Sequence, residues 1–121
     1  MLNAKQVATQ STCKKRKVGC VVYRNNQILS YGFNHGLDEK CSCSMSSKNP
    51  DVLHAEQMAL SQDIDFTDAI LEVTYAPCVN CAKLIVSKGI KKVIYHDADK
   101  CGSGIKYLID HNVSVINARN N

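Results

Sequence analysis

Apolar and polar positions alternate or recur along this chain in short blocks, and the blocks predict its elements. From Ala4 to about Thr12 the pattern is weakly helical, with Ala4, Val7 and Ala8 on one side. The run Val18-Gly19-Cys20-Val21-Val22-Tyr23 reads as a buried strand, Asn25-Asn26 as a turn, and Gln27 to Phe33 as the return strand of a hairpin. Asn34 to about Pro50 is polar, aperiodic and rich in Ser, Asn and Cys, which reads as a long loop of the kind that is usually functional or disordered. Asp51 is placed to cap a helix through Leu53, Ala55, Met58 and Leu60 that ends near Gln62.

Beyond it, Ala69 to Tyr75 alternates as a strand, and Pro77 to Ser87 is helical with Gly89 as its stop. Lys92 to Tyr95 is a strand, Ser103 to His111 a helix with Ile105, Leu108 and Ile109 as its apolar face, and Val113 to Ile116 a last strand. The order α-β-β-α-β-α-β-α-β predicts an α/β fold, a mixed five-stranded sheet with helices on both faces.

Length and composition narrow this further. At 121 residues, the chain reads as one domain over 1–121. The 45% hydrophobic and 21% charged fractions exclude intrinsic disorder. No apolar run reaches the roughly 18–20 residues of a membrane span, and Met1 to Gln6 lacks a secretory signal, so the expectation is a cytoplasmic protein without a membrane partner. The formal charge of +4 suits an anionic ligand and is too small for a duplex-binding surface, so a nucleic-acid partner is not expected. Seven cysteines are an odd number at modest density, and closely spaced thiols in a reducing compartment point to metal rather than to disulfides.

Two segments carry the chemistry: His54-Ala55-Glu56 and Pro77-Cys78-Val79-Asn80-Cys81, each where a helix begins. Cys78 and Cys81 are three apart and share a helix face, so both sulfurs can reach one ion. The positive end of the helix dipole favours their thiolate forms. His54 supplies a third ligand, and three protein ligands leave the fourth tetrahedral position of Zn²⁺ open for water. Glu56, two residues from His54, can face the same ion only if the metal lies off the helix end. A carboxylate there can shuttle protons from an activated water without being a ligand. His-x-Glu alone means little, and Cys-x-x-Cys alone could be a redox pair or half of a zinc ribbon. Cys41-Ser42-Cys43 has the wrong spacing to complete a ribbon.

In this order the two segments are the pattern of zinc deaminases of bases and nucleotides. From about Ser11 to Ile116 the chain resembles the cytidine and deoxycytidylate deaminase superfamily, and within it the deoxycytidylate deaminases, including phage members. Val18 to Val22, Tyr31-Gly32-Phe33-Asn34, Leu53 to Gln57, Thr74 to Ile85 and Ser87 to Tyr95 carry the likeness. Asn80 stands where tRNA adenosine deaminases typically have Met.

The resemblance implies a cytidine deaminase-like three-layer α/β/α sandwich and hydrolysis of dCMP to dUMP and ammonia in pyrimidine deoxynucleotide metabolism. Water would attack C4 of cytosine while Glu56 protonates N3 and then the leaving amine. Asn34 would contact the sugar, and Ala55, between ligand and shuttle, would also lie against substrate. It further implies a homo-oligomer and dCTP and dTTP as effectors.

His35-Gly36-Leu37-Asp38-Glu39 departs from the usual Gly, Pro and Gly after the Asn, and His96 to Lys100 lacks the expected tyrosines, which affects base and phosphate contacts. Phage members carry a second, structural zinc. By that likeness Cys13, Cys41 and Cys43, with His35 or solvent, could hold one; the other reading is ordinary reduced thiols. Lys14-Lys15-Arg16-Lys17 reads as a solvated basic edge or as a phosphate contact. Cys20 reads as core, His96 and His111 as surface or strand-end residues, Lys100 as surface, and Tyr31 and Phe33 as packing residues. The alternatives to a dCMP deaminase are a deaminase of cytidine, cytosine or tRNA adenosine, or a non-catalytic zinc module used for assembly.

Overall fold

The computed structural model describes residues 3–11, 17–36, 52–98 and 102–118. Its elements are α1 (Ala4–Ala8), β1 (Gly19–Arg24), β2 (Gln27–Phe33), β3 (His35–Gly36), β4 (Val52–Leu53), α2 (Ala55–Leu60), β5 (Ile70–Tyr75), α3 (Val79–Ser87), β6 (Lys92–Asp97), α4 (Ser103–Asp110) and β7 (Ser114–Asn117). Five strands form one mixed sheet in the order β2-β1-β5-β6-β7, antiparallel at β2/β1/β5 and parallel at β5/β6/β7. This is the α/β architecture expected from the alternation of patterns.

The hairpin turns at Asn25 and Asn26, both at positive φ (54° and 64°), as a two-residue turn matching the strand twist requires. One face of the sheet presents Cys20, Val22, Leu71, Val73 and Val93 to Ala59 and Leu60 of α2, Ala82 and Ile85 of α3 and Leu108 of α4. These side chains are sealed from water and form the main core. Cys20 is a core thiol as expected, and burial pushes its pKa well above the ordinary range.

Among the described helices, α1 alone packs against the β1/β2/β5 side of the opposite face, through Ala4, Val7 and Ala8. Glu72 of β5 anchors it: one carboxylate oxygen accepts the Ala4 N–H at 3.1 Å and the other meets His96 Nε2 at 3.0 Å. His96 is therefore hydrogen-bonded to Glu72 rather than a bare strand-end residue. Tyr31, expected to pack, is 44% exposed.

Two boundaries differ from the sequence reading. No helix runs through Leu53: Val52–Leu53 is a strand paired antiparallel with His35–Gly36, and α2 starts at Ala55 and stops at Leu60. The first residues expected to be helical are spent on this ladder, which also gives the beginning of the polar loop a strand. Asp51, and 37–50 of that loop, lie outside the described residues, as do Thr12 to Arg16.

Gly32 explains how α2 reaches the sheet. A Cβ built there would lie 2.2 Å from the Ala55 carbonyl oxygen and 2.7 Å from the Ala59 nitrogen, so the helix backbone rests directly on the strand. Gly32→Ala is expected to lower stability by about 1–3 kcal/mol or more, because neither backbone can yield without moving the helix. Urea denaturation of the two proteins checks it.

Candidate metal centre

Two helix starts converge on one point. His54 is the N-cap residue of α2, held extended at φ −79° and ψ 152°, with its N–H donating to Gln57 Oε1 at 2.8 Å. Cys78 is the N-cap of α3, also extended, and Cys81 lies in the first turn, where the backbone N–H groups favour thiolate. Cys81 Sγ is 3.4 Å and Cys78 Sγ 3.9 Å from His54 Nδ1. The three ligand atoms all lie within 4.8 Å of one another. Ligands around a tetrahedral zinc stand about 3.5 Å apart, given metal–ligand distances of about 2.3 Å to sulfur and 2.0 Å to nitrogen. The donor set therefore fits zinc in both chemistry and spacing, with Nδ1 as the imidazole ligand.

The start of α3 is fixed from behind by α4. A Cβ at Gly104 would fall 1.9 Å from the Pro77 carbonyl oxygen and 2.9 Å from the Cys78 carbonyl carbon. Each ligand-bearing helix start is thus in backbone contact with a glycine, Gly32 under α2 and Gly104 against α3.

The electrostatics of the metal-free chain suit cation capture. The Cys78 thiol is lowered to about 4, chiefly by the hydrogen bond from the Cys81 thiol and also by those from His54 and the Cys81 N–H. Cys81 is pushed up, first by holding that proton for Cys78 and then by burial. The His54 pKa is raised, mainly by its hydrogen bond to Cys78, against the opposing effect of burial. The pair thus keeps one thiolate and one shared proton, which a dication displaces.

Glu56 lies in the first turn of α2, 4% exposed. Burial lifts its pKa from 4.5 to about 7, with His54 pulling it down and Cys78 pushing it up, so it feels both ligands. Asn34 is also buried. Asn34 directly precedes β3 and His54 directly follows β4, the two strands that pair His35 with Leu53. Ala55 is buried, and its carbonyl oxygen lies over Gly32. Cys13, Cys41 and Cys43 lie outside the described residues, as do Lys14 to Arg16 and Lys100. Of His35 only the backbone pairing is described, and Lys17 is exposed. His54, Cys78 and Cys81 are the residues grouped for a metal among the described ones.

Residues that the sequence did not mark also shape the centre. Gly32 and Gly104 seat the helices, and Ser11, buried beside Asn34, donates from its hydroxyl to that residue. A serine following a short helix gives no such signal in the sequence.

Residues 1–97 match the cytidine and deoxycytidylate deaminase zinc-binding region. The chain belongs to this family of zinc-binding deaminase domains, and His54, Cys78 and Cys81 form its zinc triad. It is 36% identical over 110 residues to the deoxycytidylate deaminase of Schizosaccharomyces pombe, covering 77% of this chain and 34% of that protein. It is 34% identical over 112 residues to human deoxycytidylate deaminase, covering 77% and 62%. The chain thus spans less than two thirds of either relative. Among solved structures it is similar to the dCMP deaminase of cyanophage S-TIM5 in complex with dCMP and dUMP. There the TM-score is 0.81 at 35% identity, over 94% of this chain and 90% of that one. This likeness makes the fold cytidine deaminase-like. Among the described residues, no helix is long and apolar enough to cross a membrane.

The buried acid has a measurable signature in the metal-free protein. A carboxyl held at about 7 in the folded chain and near 4.5 in the unfolded one costs stability progressively as the pH rises between those values. Above pH 7 the cost is about 3 kcal/mol. Metal-free Glu56→Gln is therefore expected to be more stable than the metal-free parent at pH 8, with the difference vanishing at pH 4. Urea titrations at the two pH values read it.

Proposed function

We propose that the chain catalyses the hydrolytic deamination of dCMP to dUMP and ammonia. The observation that carries this reading is a sealed carboxylic acid, Glu56, in electrostatic contact with a His/Cys/Cys zinc triad. A purely structural zinc site has no use for a buried, unliganded acid, so the observation favours catalysis over assembly. The choice of dCMP rests on the similarity to the yeast, human and cyanophage deaminases.

When bound, zinc supplies an activated water at its open position, for attack on C4 of cytosine. Glu56 accepts the proton that this water gives up. The same carboxyl, whose acid form burial favours, passes that proton to N3, then takes the proton left on the C4 hydroxyl and delivers it to the departing amine. His54, Cys78 and Cys81 hold the centre in place. Asn34, just before β3, contacts the sugar, and Ala55, the first residue of α2, lies along the base. The reading extends to the cytoplasmic pyrimidine deoxynucleotide pool, to a homo-oligomer, and to dCTP and dTTP as effectors.

The test is an ultraviolet assay of zinc-loaded protein on dCMP, deoxycytidine, cytosine and an adenosine-containing anticodon RNA. Turnover of dCMP is expected, and Glu56→Ala should lower kcat by about 10²–10⁴-fold while keeping its zinc. Turnover of another substrate alone would replace dCMP and keep the mechanism. No turnover of any of the four by folded, zinc-loaded protein would contradict the proposal.

A further inference from the structure

His54 faces the two thiols with the ring nitrogen nearest its own backbone: Nδ1 lies 3.4 Å from Cys81 Sγ and 3.9 Å from Cys78 Sγ. A donor on so short a reach cannot absorb an error in where the backbone stands, so the placement of the His54 main chain becomes the placement of the ligand. The chain changes element at this residue. The β3/β4 ladder ends with the pair His35–Leu53, and α2 begins at Ala55. Between them, His54 engages α2 through both of its backbone polar groups. Its carbonyl accepts the Met58 N–H at 3.1 Å, and its N–H donates to Gln57 Oε1 at 2.8 Å. Histidine is not among the residues favoured at a helix N-cap, and here its ring is directed at the cysteines. Gln57, the third residue of α2, reaches back to hold the cap residue instead.

We infer that Gln57 is a positioning residue for the metal: by accepting the His54 N–H, it fixes the backbone of the imidazole ligand before zinc arrives. The metal-free chain then already holds the ligating arrangement, and less ordering is needed when the ion binds. A group bonded behind a ligand tunes metal affinity in this way without touching the ion. The inference rests on the zinc triad and on no choice of substrate. Gln57 is exposed, so the acceptor can be removed with little loss of packing.

The experiment measures the zinc Kd of the full chain by competition with a chromophoric chelator at fixed pH. The triad's site is recognised as the binding step absent in Cys81→Ser. Gln57→Met, which keeps the length of the side chain and loses the amide oxygen, is expected to weaken zinc binding about three- to tenfold. Gln57→Glu, which keeps an oxygen at that position, should bind zinc at least as tightly as the parent. In the metal-free protein, hydrogen exchange of the His54 amide should quicken in Gln57→Met and not in Gln57→Glu.

A merely structural glutamine would stabilise the metal-free and zinc-loaded folds equally, leaving the Kd of the folded protein unmoved. Urea titration of each metal-free variant gives its folded fraction, by which the measured Kd is corrected. A corrected Kd unchanged in Gln57→Met would overturn the inference, and so would an equal weakening in Gln57→Glu. Unaltered exchange of the His54 amide in Gln57→Met would overturn it as well.

Discussion

Backbone contact between each ligand-bearing helix start and a glycine is the constraint on which the site depends. The Ala55 carbonyl lies over Gly32 and the Pro77–Cys78 backbone against Gly104, closer than any side chain would allow. With both helices seated this deeply, their N-cap residues meet, and His54 Nδ1 comes within 3.4 Å of Cys81 Sγ. The sheet contributes by burial: Cys20, Val22, Leu71 and Val73 form the floor on which α2 and α3 rest. A few tenths of an ångström lost at either glycine would be felt directly as ligand spacing.

The same geometry accounts for the electrostatics. Two helix N-termini point at one site, and their partial positive charge supports a thiolate at Cys78 and whatever negative charge develops at the metal. Glu56, sealed beside them, is instead penalised for ionising and keeps its proton up to about pH 7. Metal binding and proton transfer thus draw on opposite responses to burial, one offset by neighbouring donors and one not.

The sheet, its five strands and the triad were legible because each rests on local signals: alternation, the Asn25-Asn26 turn, and ligand spacing at helix starts. The start of α2 was misread for an equally local reason. Asp51 and Leu53 fit a helical pattern, but pairing of His35 with Leu53 depends on a partner far along the chain, which periodicity cannot register. The Ser11 hydrogen bond to Asn34, the Glu72 anchor of α1 and the two glycine seats were illegible for the same cause. Each joins residues remote in sequence, and serine, glutamate and glycine occur everywhere on surfaces and in turns. His96 looked like a strand-end residue until the parallel pairing of β5 and β6 put it against Glu72.

X-ray absorption at the zinc edge, on protein loaded with one equivalent of metal, tests the central claim most directly. The account predicts two sulfur ligands at about 2.3 Å and two nitrogen or oxygen ligands at about 2.0 Å, and the same count with one sulfur fewer in Cys81→Ser. Three or four sulfurs in the parent protein, or a sulfur count unmoved by that substitution, would contradict it.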